Sequence, residues 1–138
     1  MLPSAEQVYP PKSESVRTAR WFCVDYLRNV LVGTDDEVEA VLDDVRLIVS
    51  ELMTNAIQAR PTQVRLEIVA GVDHVRISVA DDGAGTPTPR RPQSTTEHGR
   101  GLWIVEQIAK CWGTSSRPDG KEVWAEIALA PDLIWMGD

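Results

Sequence analysis

The spacing of apolar residues changes near Pro61, and this change limits the folds open to the chain. Before Pro61, apolar residues recur at the helical period in two stretches; after it, in residues 64–68 and 75–79, they alternate with polar ones. Gly71 and Asp73 lie between the two alternating runs, so the second half begins with a predicted β-hairpin. Helices followed by strands in this order predict an α+β fold.

The first two helices have clear sequence limits. Apolar residues between 16 and 31 predict the first helix, and Gly33 follows as a stop. Thr34 and Glu37 have the spacing of a capping box, which predicts that the second helix begins there. Its apolar stripe continues until shortly before Pro61, where the helix is expected to end.

The last third of the chain combines a loop, a helix and two strands. Residues 84–98 have no periodicity and predict a long mobile loop that could act as a lid. The helical period returns in residues 102–112, and Gly113 is expected to supply a left-handed stop. Residues 118–120 predict a turn between two final strands, with alternate residues from 123 to 129 facing the core.

The length and composition indicate one domain. A chain of 138 residues with 43% hydrophobic residues can bury roughly 68% of the surface that its unfolded form exposes. Burial of this extent should stabilise the fold without disulfides or metals. Residues 1–12 predict a flexible N-terminal tail, 13–130 the domain, and 131–138 a C-terminal tail. The apolar residues around Trp135 favour docking of that tail on the domain's own surface.

Charge and cysteine content exclude several functional classes. The formal net charge of −7 argues against general nucleic-acid binding, because such binding depends on basic residues that displace counterions. No apolar run approaches the ~20 residues that span a bilayer, so we expect no membrane segment. Cys23 and Cys111 lack a partner at metal-binding spacing and are predicted to be reduced core residues in helices, which suggests a cytoplasmic protein.

The second predicted helix carries two candidate site residues, one as a magnesium ligand and one as a general base. Glu51 and Asn55 are four residues apart, so they project from one helix face. Mg²⁺ prefers oxygen ligands and keeps several waters when it bridges phosphates, so the amide oxygen of Asn55 could suffice. Glu51 could accept a proton from an attacking water or hydroxyl. Taken alone, this spacing is more typical of a solvated helix face.

A second candidate segment, Asp81-Asp82-Gly83-Ala84-Gly85, follows a predicted strand. A carboxylate there could accept a hydrogen bond from an exocyclic amine such as that of adenine, and glycines allow close approach of a flat ring. Taken alone, the segment favours a surface turn, because Asp-Gly pairs are common turn formers.

A third candidate, Gly99-Arg100-Gly101-Leu102, lies where the predicted loop becomes a helix. Free backbone N–H groups and the positive end of the helix could bind phosphates there, although a lid hinge fits equally well. The segment is not the dinucleotide fingerprint, because Ile104 occupies the third glycine position.

In their order and placement, the three segments resemble the GHKL ATPase superfamily. Residues 51–56 look like its N-box, 81–85 like its Asp-x-Gly-x-Gly box and 99–102 like its second glycine box. Within the superfamily the sequence is most similar to the stand-alone anti-sigma factor serine/threonine kinases and their actinobacterial relatives. Three further stretches carry that similarity: 101–105, 111–113 and 120–126.

The resemblance implies a two-layer α/β sandwich, with helices on one face of a mostly antiparallel sheet and ATP between the helices and a lid. It implies that Asn55 holds magnesium, Glu51 is the catalytic base and Asp81 reads the adenine amine. The glycine boxes supply the remaining nucleotide contacts: Gly83 and Gly85 at the adenine wall, and Gly99, Arg100, Gly101 and Leu102 around the phosphates.

Two positions depart from the pattern of these relatives. Ala59 stands where their N-box helix often has His, which we expect to matter little. Glu122 replaces a Thr that is common on the strand supporting the adenine-reading Asp. The second departure puts in doubt the water network beneath adenine, without affecting magnesium or phosphate.

The resemblance implies a cytoplasmic Mg-ATP-dependent serine/threonine kinase that binds a sigma factor and phosphorylates an anti-sigma antagonist, and relatives suggest a homodimer. The presence of Glu51 favours catalysis. A regulatory module of the same fold that binds ATP without turnover is the alternative. A histidine-kinase catalytic domain is less favoured, because no helical hairpin with a phospho-acceptor His precedes the domain.

Overall fold

Three helices in the described part of the chain pack against one face of an antiparallel sheet. The structure is a computed structural model that describes residues 2–83 and 97–136, without the side chains of residues 97–101 and 117. The helices are α1 (Ser13–Val30), α2 (Asp35–Gln58) and α3 (Glu97–Ile108). The strands are β1 (Ser4–Tyr9), β2 (Leu31–Val32), β3 (Val64–Ala70), β4 (His74–Asp81), β5 (Cys111–Arg117), β6 (Gly120–Ala128) and β7 (Ile134–Trp135).

The main sheet has the strand order β1-β3-β4-β6-β5, and each neighbouring pair is antiparallel. Strands β2 and β7 pair separately as a short antiparallel ribbon. This arrangement confirms the predicted α+β fold, a two-layer sandwich of the GHKL type. Among the described residues, no helix combines the length and the apolar character needed to span a lipid bilayer.

Local signals set both ends of α2. The Thr34 hydroxyl accepts a hydrogen bond from the backbone N–H of Glu37 at 3.2 Å, and the Glu37 carboxylate accepts one from the N–H of Thr34 at 3.2 Å. These bonds confirm the predicted capping box. At the other end Arg60 has a positive φ of 55° directly before Pro61, so the chain leaves the helix sharply, as predicted.

The core lies between α2 and the inner face of the sheet. Alternate residues of β3, β4 and β6 point toward the helices, which confirms that Val123, Ala125 and Ile127 face the core. Each fully buried aliphatic side chain stabilises the fold by about 1.5–3 kcal/mol. The side chains of α2 with no exposed surface are Leu42, Val45, Ile48, Val49 and Met53.

The N-terminal segment corrects the prediction of a flexible tail over residues 1–12. Ser4–Tyr9 form β1, an edge strand that pairs with β3 from Ser4 opposite Val69 to Tyr9 opposite Val64. Only Tyr9 of this strand is buried, so its stability comes from backbone hydrogen bonds more than from apolar burial. A strand of this kind has a weak sequence signal because alternation of apolar residues is missing.

The C-terminal segment docks on the domain, as predicted for the region around Trp135. Leu133 and Trp135 are buried, and the indole N–H of Trp135 donates to the carbonyl of Gly71 at 2.7 Å. The backbone N–H of Met136 donates to the carbonyl of Val30 at 2.7 Å. This segment is therefore a packed part of the fold, together with the end of α1.

The third helix begins and ends earlier than predicted. It starts at Glu97 rather than after residue 98, and it ends at Ile108, so Cys111–Arg117 form β5 instead of continuing the helix to residue 112. Gly113 is not a left-handed stop; a Cβ at this position would lie 2.6 Å from the Trp124 ring. Pairing with β6 overrides a helical spacing that is local and short. The rest of the predicted loop, residues 84–96, lies outside the described residues.

The two cysteines differ in burial. Cys23 in α1 is fully buried, as predicted, and burial raises the pKa of its thiol to about 12. Cys111 is exposed on β5, which corrects the prediction of a core residue in a helix. Its thiol donates to a carboxylate oxygen of Glu126 at 3.2 Å, and this hydrogen bond raises the pKa of Cys111.

A thiol reagent added to the native protein at pH 8 should therefore label Cys111 and spare Cys23 until the protein unfolds. Cys23 is both inaccessible and fully protonated well above pH 8, whereas only the thiolate reacts. Mass spectrometry after timed labelling measures the two rates. Cys111→Ser should remove the fast reaction and Cys23→Ala should leave it; equal rates for the two native thiols would contradict the burial of Cys23.

Replacing Trp135 should test whether the C-terminal segment contributes to stability. Trp135→Ala removes a buried ring and its hydrogen bond and should lower the free energy of unfolding by roughly 3 kcal/mol or more. Trp135→Phe keeps most of the ring and should cost about 1 kcal/mol, the value of one hydrogen bond. Urea unfolding measures both, with exposed Met136→Ala as the control. Equal stability of Trp135→Ala and Met136→Ala would show that the segment is not docked.

Candidate functional site

Asn55 offers a buried and unsatisfied amide near the end of α2. Its Nδ2 atom is buried and has no hydrogen-bond partner among the described residues. A buried donor without a partner costs about 1–3 kcal/mol, so the position favours a ligand atom that accepts a hydrogen bond. Rotation of the amide would present Oδ1 instead, an oxygen of the type that Mg²⁺ binds. Asn55 thus fits the expected contact with a magnesium nucleotide.

Glu51 lies one helical turn before Asn55 on α2, and both side chains are half-buried. Residues four apart on a helix have Cβ atoms about 5–6 Å from each other. The spacing inferred from the sequence is therefore preserved in the structure, and a carboxylate lies beside the amide.

Asp81, at the end of β4, forms a buried ion pair with Lys121. The ammonium Nζ lies 3.2 Å from Oδ1 and 3.1 Å from Oδ2 of the carboxylate. Asp81 is 8% exposed and Lys121 is 5% exposed. The backbone N–H of Gly83 also donates to Oδ1, at 2.8 Å. The carboxylate therefore has two fixed donors before any ligand is considered.

Lys121 is a site residue that the sequence analysis missed. Glu122 was expected on the strand that supports the adenine-reading Asp, and it lies there, on β6. It pairs with Ala80 on the outer side of the sheet, while Lys121 lies directly opposite Asp81. The available signal was the alternation along β6. Because residues 123, 125 and 127 face the core, residue 121 faces it too.

Two glycines allow three chain segments to meet at this end of the sheet. A Cβ at Gly83 would lie 2.7 Å from the carbonyl oxygen of Ala59, so the end of β4 contacts the end of α2. Gly120 has a φ of 148°, and a Cβ there would lie 1.9 Å from the carbonyl oxygen of Asp81. Any larger residue at either position would separate these segments. Ala59, one of the two departures noted in the sequence, forms part of this contact.

The neighbouring Asp82 has a different role. One of its carboxylate oxygens accepts from the backbone N–H of Thr62 at 2.7 Å, and the other accepts from the Thr62 hydroxyl. These hydrogen bonds lower the pKa of Asp82. Asp82 therefore fixes the turn between α2 and β3, while Asp81 points inward.

Helix α3 packs against α2 and brings the second glycine box to the same side of the domain. Leu102 and Val105 are buried in the core, so any phosphate contact by Leu102 would involve its backbone. An α-helix leaves the N–H groups of its N-cap and its first three residues without an acceptor inside the helix, and because α3 begins at Glu97 these include Gly99 but not Arg100 or Gly101. Gly85 lies outside the described residues.

A cavity of about 150 Å³ reaches the ion pair, and its lining includes Asp81 and Lys121 together with Arg65, Ala80 and Asp119. Ligand pockets usually measure about 300–1,000 Å³, so this cavity is too small for a nucleotide. Arg65 and Ala80 face the outer side of the sheet, away from α2. The cavity therefore touches the ion pair from the outer side of the sheet, and Asn55 on α2 does not line it.

Comparisons with known proteins agree with this geometry. A family model described as "Histidine kinase-like ATPase domain" matches residues 9–127. An uncharacterised protein of Streptomyces coelicolor is 33% identical to this chain over 90 residues, which is 61% of this chain and 85% of the relative. The residues matched by the family model include Asn55, Asp81 and Lys121.

Substitution of Lys121 should show whether the ion pair is buried. Lys121→Met leaves the Asp81 carboxylate uncompensated and should lower the free energy of unfolding by about 3 kcal/mol. The double variant Asp81→Asn, Lys121→Met removes both charges and should recover at least half of that loss. Urea unfolding monitored by tryptophan fluorescence measures each, with exposed Lys110→Met as the control. A Lys121→Met protein as stable as the wild type would rule out the pair.

Proposed function

The chain belongs to the histidine kinase-like ATPase domain family, and we propose that it is an Mg-ATP-dependent serine/threonine protein kinase of the anti-sigma factor type. The family assignment makes ATP the expected ligand. The observation that carries the proposal is the buried Nδ2 atom of Asn55, which has no hydrogen-bond partner among the described residues. Asn55 lies on the helix whose end contacts the segment after Asp81.

The residues present suit the parts of a magnesium nucleotide. Asn55 would hold magnesium through its amide oxygen, and bound magnesium would offset charge on the phosphates. The N–H groups at the start of α3 that have no acceptor inside the helix, that of Gly99 among them, would bind phosphate oxygens. The carboxylate of Asp81 would accept a hydrogen bond from the adenine amine, and Gly83 would keep the backbone close to the ring.

Glu51 would act as the general base. It would accept the proton of a serine or threonine hydroxyl as the hydroxyl oxygen forms a bond to the γ-phosphorus. The bond between the γ-phosphorus and the β–γ bridging oxygen breaks, so ADP leaves with the electron pair. The position of Glu51 one turn from Asn55 supports this role, because the base must lie beside the phosphates.

The partners follow from the sequence resemblance in residues 101–105, 111–113 and 120–126. We propose that the protein binds a sigma factor and phosphorylates an anti-sigma antagonist in the cytoplasm, as a homodimer. The net charge of −7 supports protein partners over nucleic acid.

Calorimetry with Mg-ATP tests the binding site. Wild-type protein should bind ATP in a magnesium-dependent manner, and Asn55→Ala should weaken that binding at least tenfold. Gln58→Ala is the matched control, because Gln58 is exposed on the same helix and should bind as the wild type does. Wild-type affinity in Asn55→Ala would contradict the assignment of Asn55.

Transfer of labelled phosphate from ATP to a purified candidate antagonist tests the catalytic role. Glu51→Gln should retain ATP binding and lose transfer by at least a hundredfold, because the base contributes about 10²–10⁴ in rate. Unchanged transfer in Glu51→Gln would exclude Glu51 as the base. Tight ATP binding with only background transfer in the wild type would favour the non-catalytic binding module.

A further inference from the structure

We propose that Lys121 reads the purine base together with Asp81, donating a hydrogen bond to ring nitrogen N1 while Asp81 accepts one from the 6-amino group. This inference rests on the proposed ATP binding and adds a second base-reading residue to the same site. It follows from the number of hydrogen-bonding positions that the buried ion pair leaves open.

When partners are counted over residues 2–83 and 97–136, the carboxylate of Asp81 keeps one open acceptor position. An ionised carboxylate has about four lone-pair positions on its two oxygens. Oδ1 accepts from the N–H of Gly83 at 2.8 Å and from the ammonium of Lys121 at 3.2 Å, while Oδ2 accepts from Lys121 at 3.1 Å. The remaining position on Oδ2 can accept one N–H of an exocyclic amine without displacing Lys121.

Within the part of the chain that the structure describes, the ammonium of Lys121 keeps one open donor. It has three N–H groups, and two are used by the oxygens of Asp81. Because the side chain is only 5% exposed, bulk water is a poor partner for the third. Adenine offers an acceptor in the right place, since N1 is bonded to the carbon that bears the 6-amino group. Enzymes commonly read a base along this Watson–Crick edge.

The backbone around the ion pair fixes the order of donor and acceptor. Gly120 packs its Cα against the carbonyl of Asp81, and Gly83 holds the end of β4 against Ala59, so the two strands cannot slide. Guanine presents the reverse order, an acceptor at position 6 and a donor at N1. The site should therefore select adenine through both residues rather than through Asp81 alone.

Nucleotide analogues that lack one atom test each contact separately. ATP, 1-deaza-ATP, in which a C–H replaces N1, and GTP are titrated into the Mg²⁺-containing protein by calorimetry. The wild type should bind 1-deaza-ATP about tenfold more weakly than ATP, as expected for loss of one charge-assisted hydrogen bond, and GTP at least about a hundredfold more weakly, because GTP mismatches both contacts.

The double variant Asp81→Ala, Lys121→Met removes the donor without leaving an uncompensated charge, and it introduces no side-chain N–H that could donate to N1 in place of Lys121. Its affinities for ATP and 1-deaza-ATP should become equal. Lys110→Met, which replaces an exposed lysine just before β5, should keep the wild-type ratio. Circular dichroism confirms that each variant is folded.

The outcomes separate this inference from the proposed function. Equal wild-type affinity for ATP and 1-deaza-ATP, or a ratio that persists in the double variant, would overturn the contact between Lys121 and N1 while ATP binding stands. Tighter binding of GTP than of ATP would also overturn it. A wild-type protein that binds none of the three nucleotides would overturn the proposed function and this inference together.

Discussion

The buried ion pair between Asp81 and Lys121 is the constraint around which this end of the molecule is arranged. A buried charge is costly unless it is paired with an opposite charge. Asp81 and Lys121 must therefore stay in contact, which fixes the register of β4 and β6 at this point. Gly120 packs against the carbonyl of Asp81, and Gly83 packs against Ala59 at the end of α2. A side chain at either glycine would not fit in this register. The position of Asn55 relative to the sheet therefore depends on a contact between two strands outside its own helix.

The parts of the fold that the sequence predicted are those with local causes. The capping box, the apolar stripe of α2 and the hairpin of β3 and β4 each follow from residues within a few positions of one another. Strand β1 and the boundary between α3 and β5 could not be read in this way. Both depend on pairing with another strand, and neither has an alternation strong enough to indicate it.

The residues of the candidate site also differ in whether a local pattern or strand pairing determines their position. Helical periodicity was enough to place Glu51 and Asn55 on one face, and the strand end was enough to single out Asp81. The partner of Asp81 required the register between β4 and β6, which is a property of two segments about forty residues apart. A comparison of inward-facing positions on each strand would have pointed to Lys121 rather than Glu122.

Strand β1 also hinders association of the sheet edge with another copy of the chain. It is short, lies between Pro3 and Pro10, and carries exposed Glu6, all features that discourage another chain from adding to a sheet. A shortened protein that began at residue 13 would expose the hydrogen-bonding edge of β3, where Leu66 and Ile68 are apolar. Such a truncated protein would self-associate in solution, whether or not it still bound ATP.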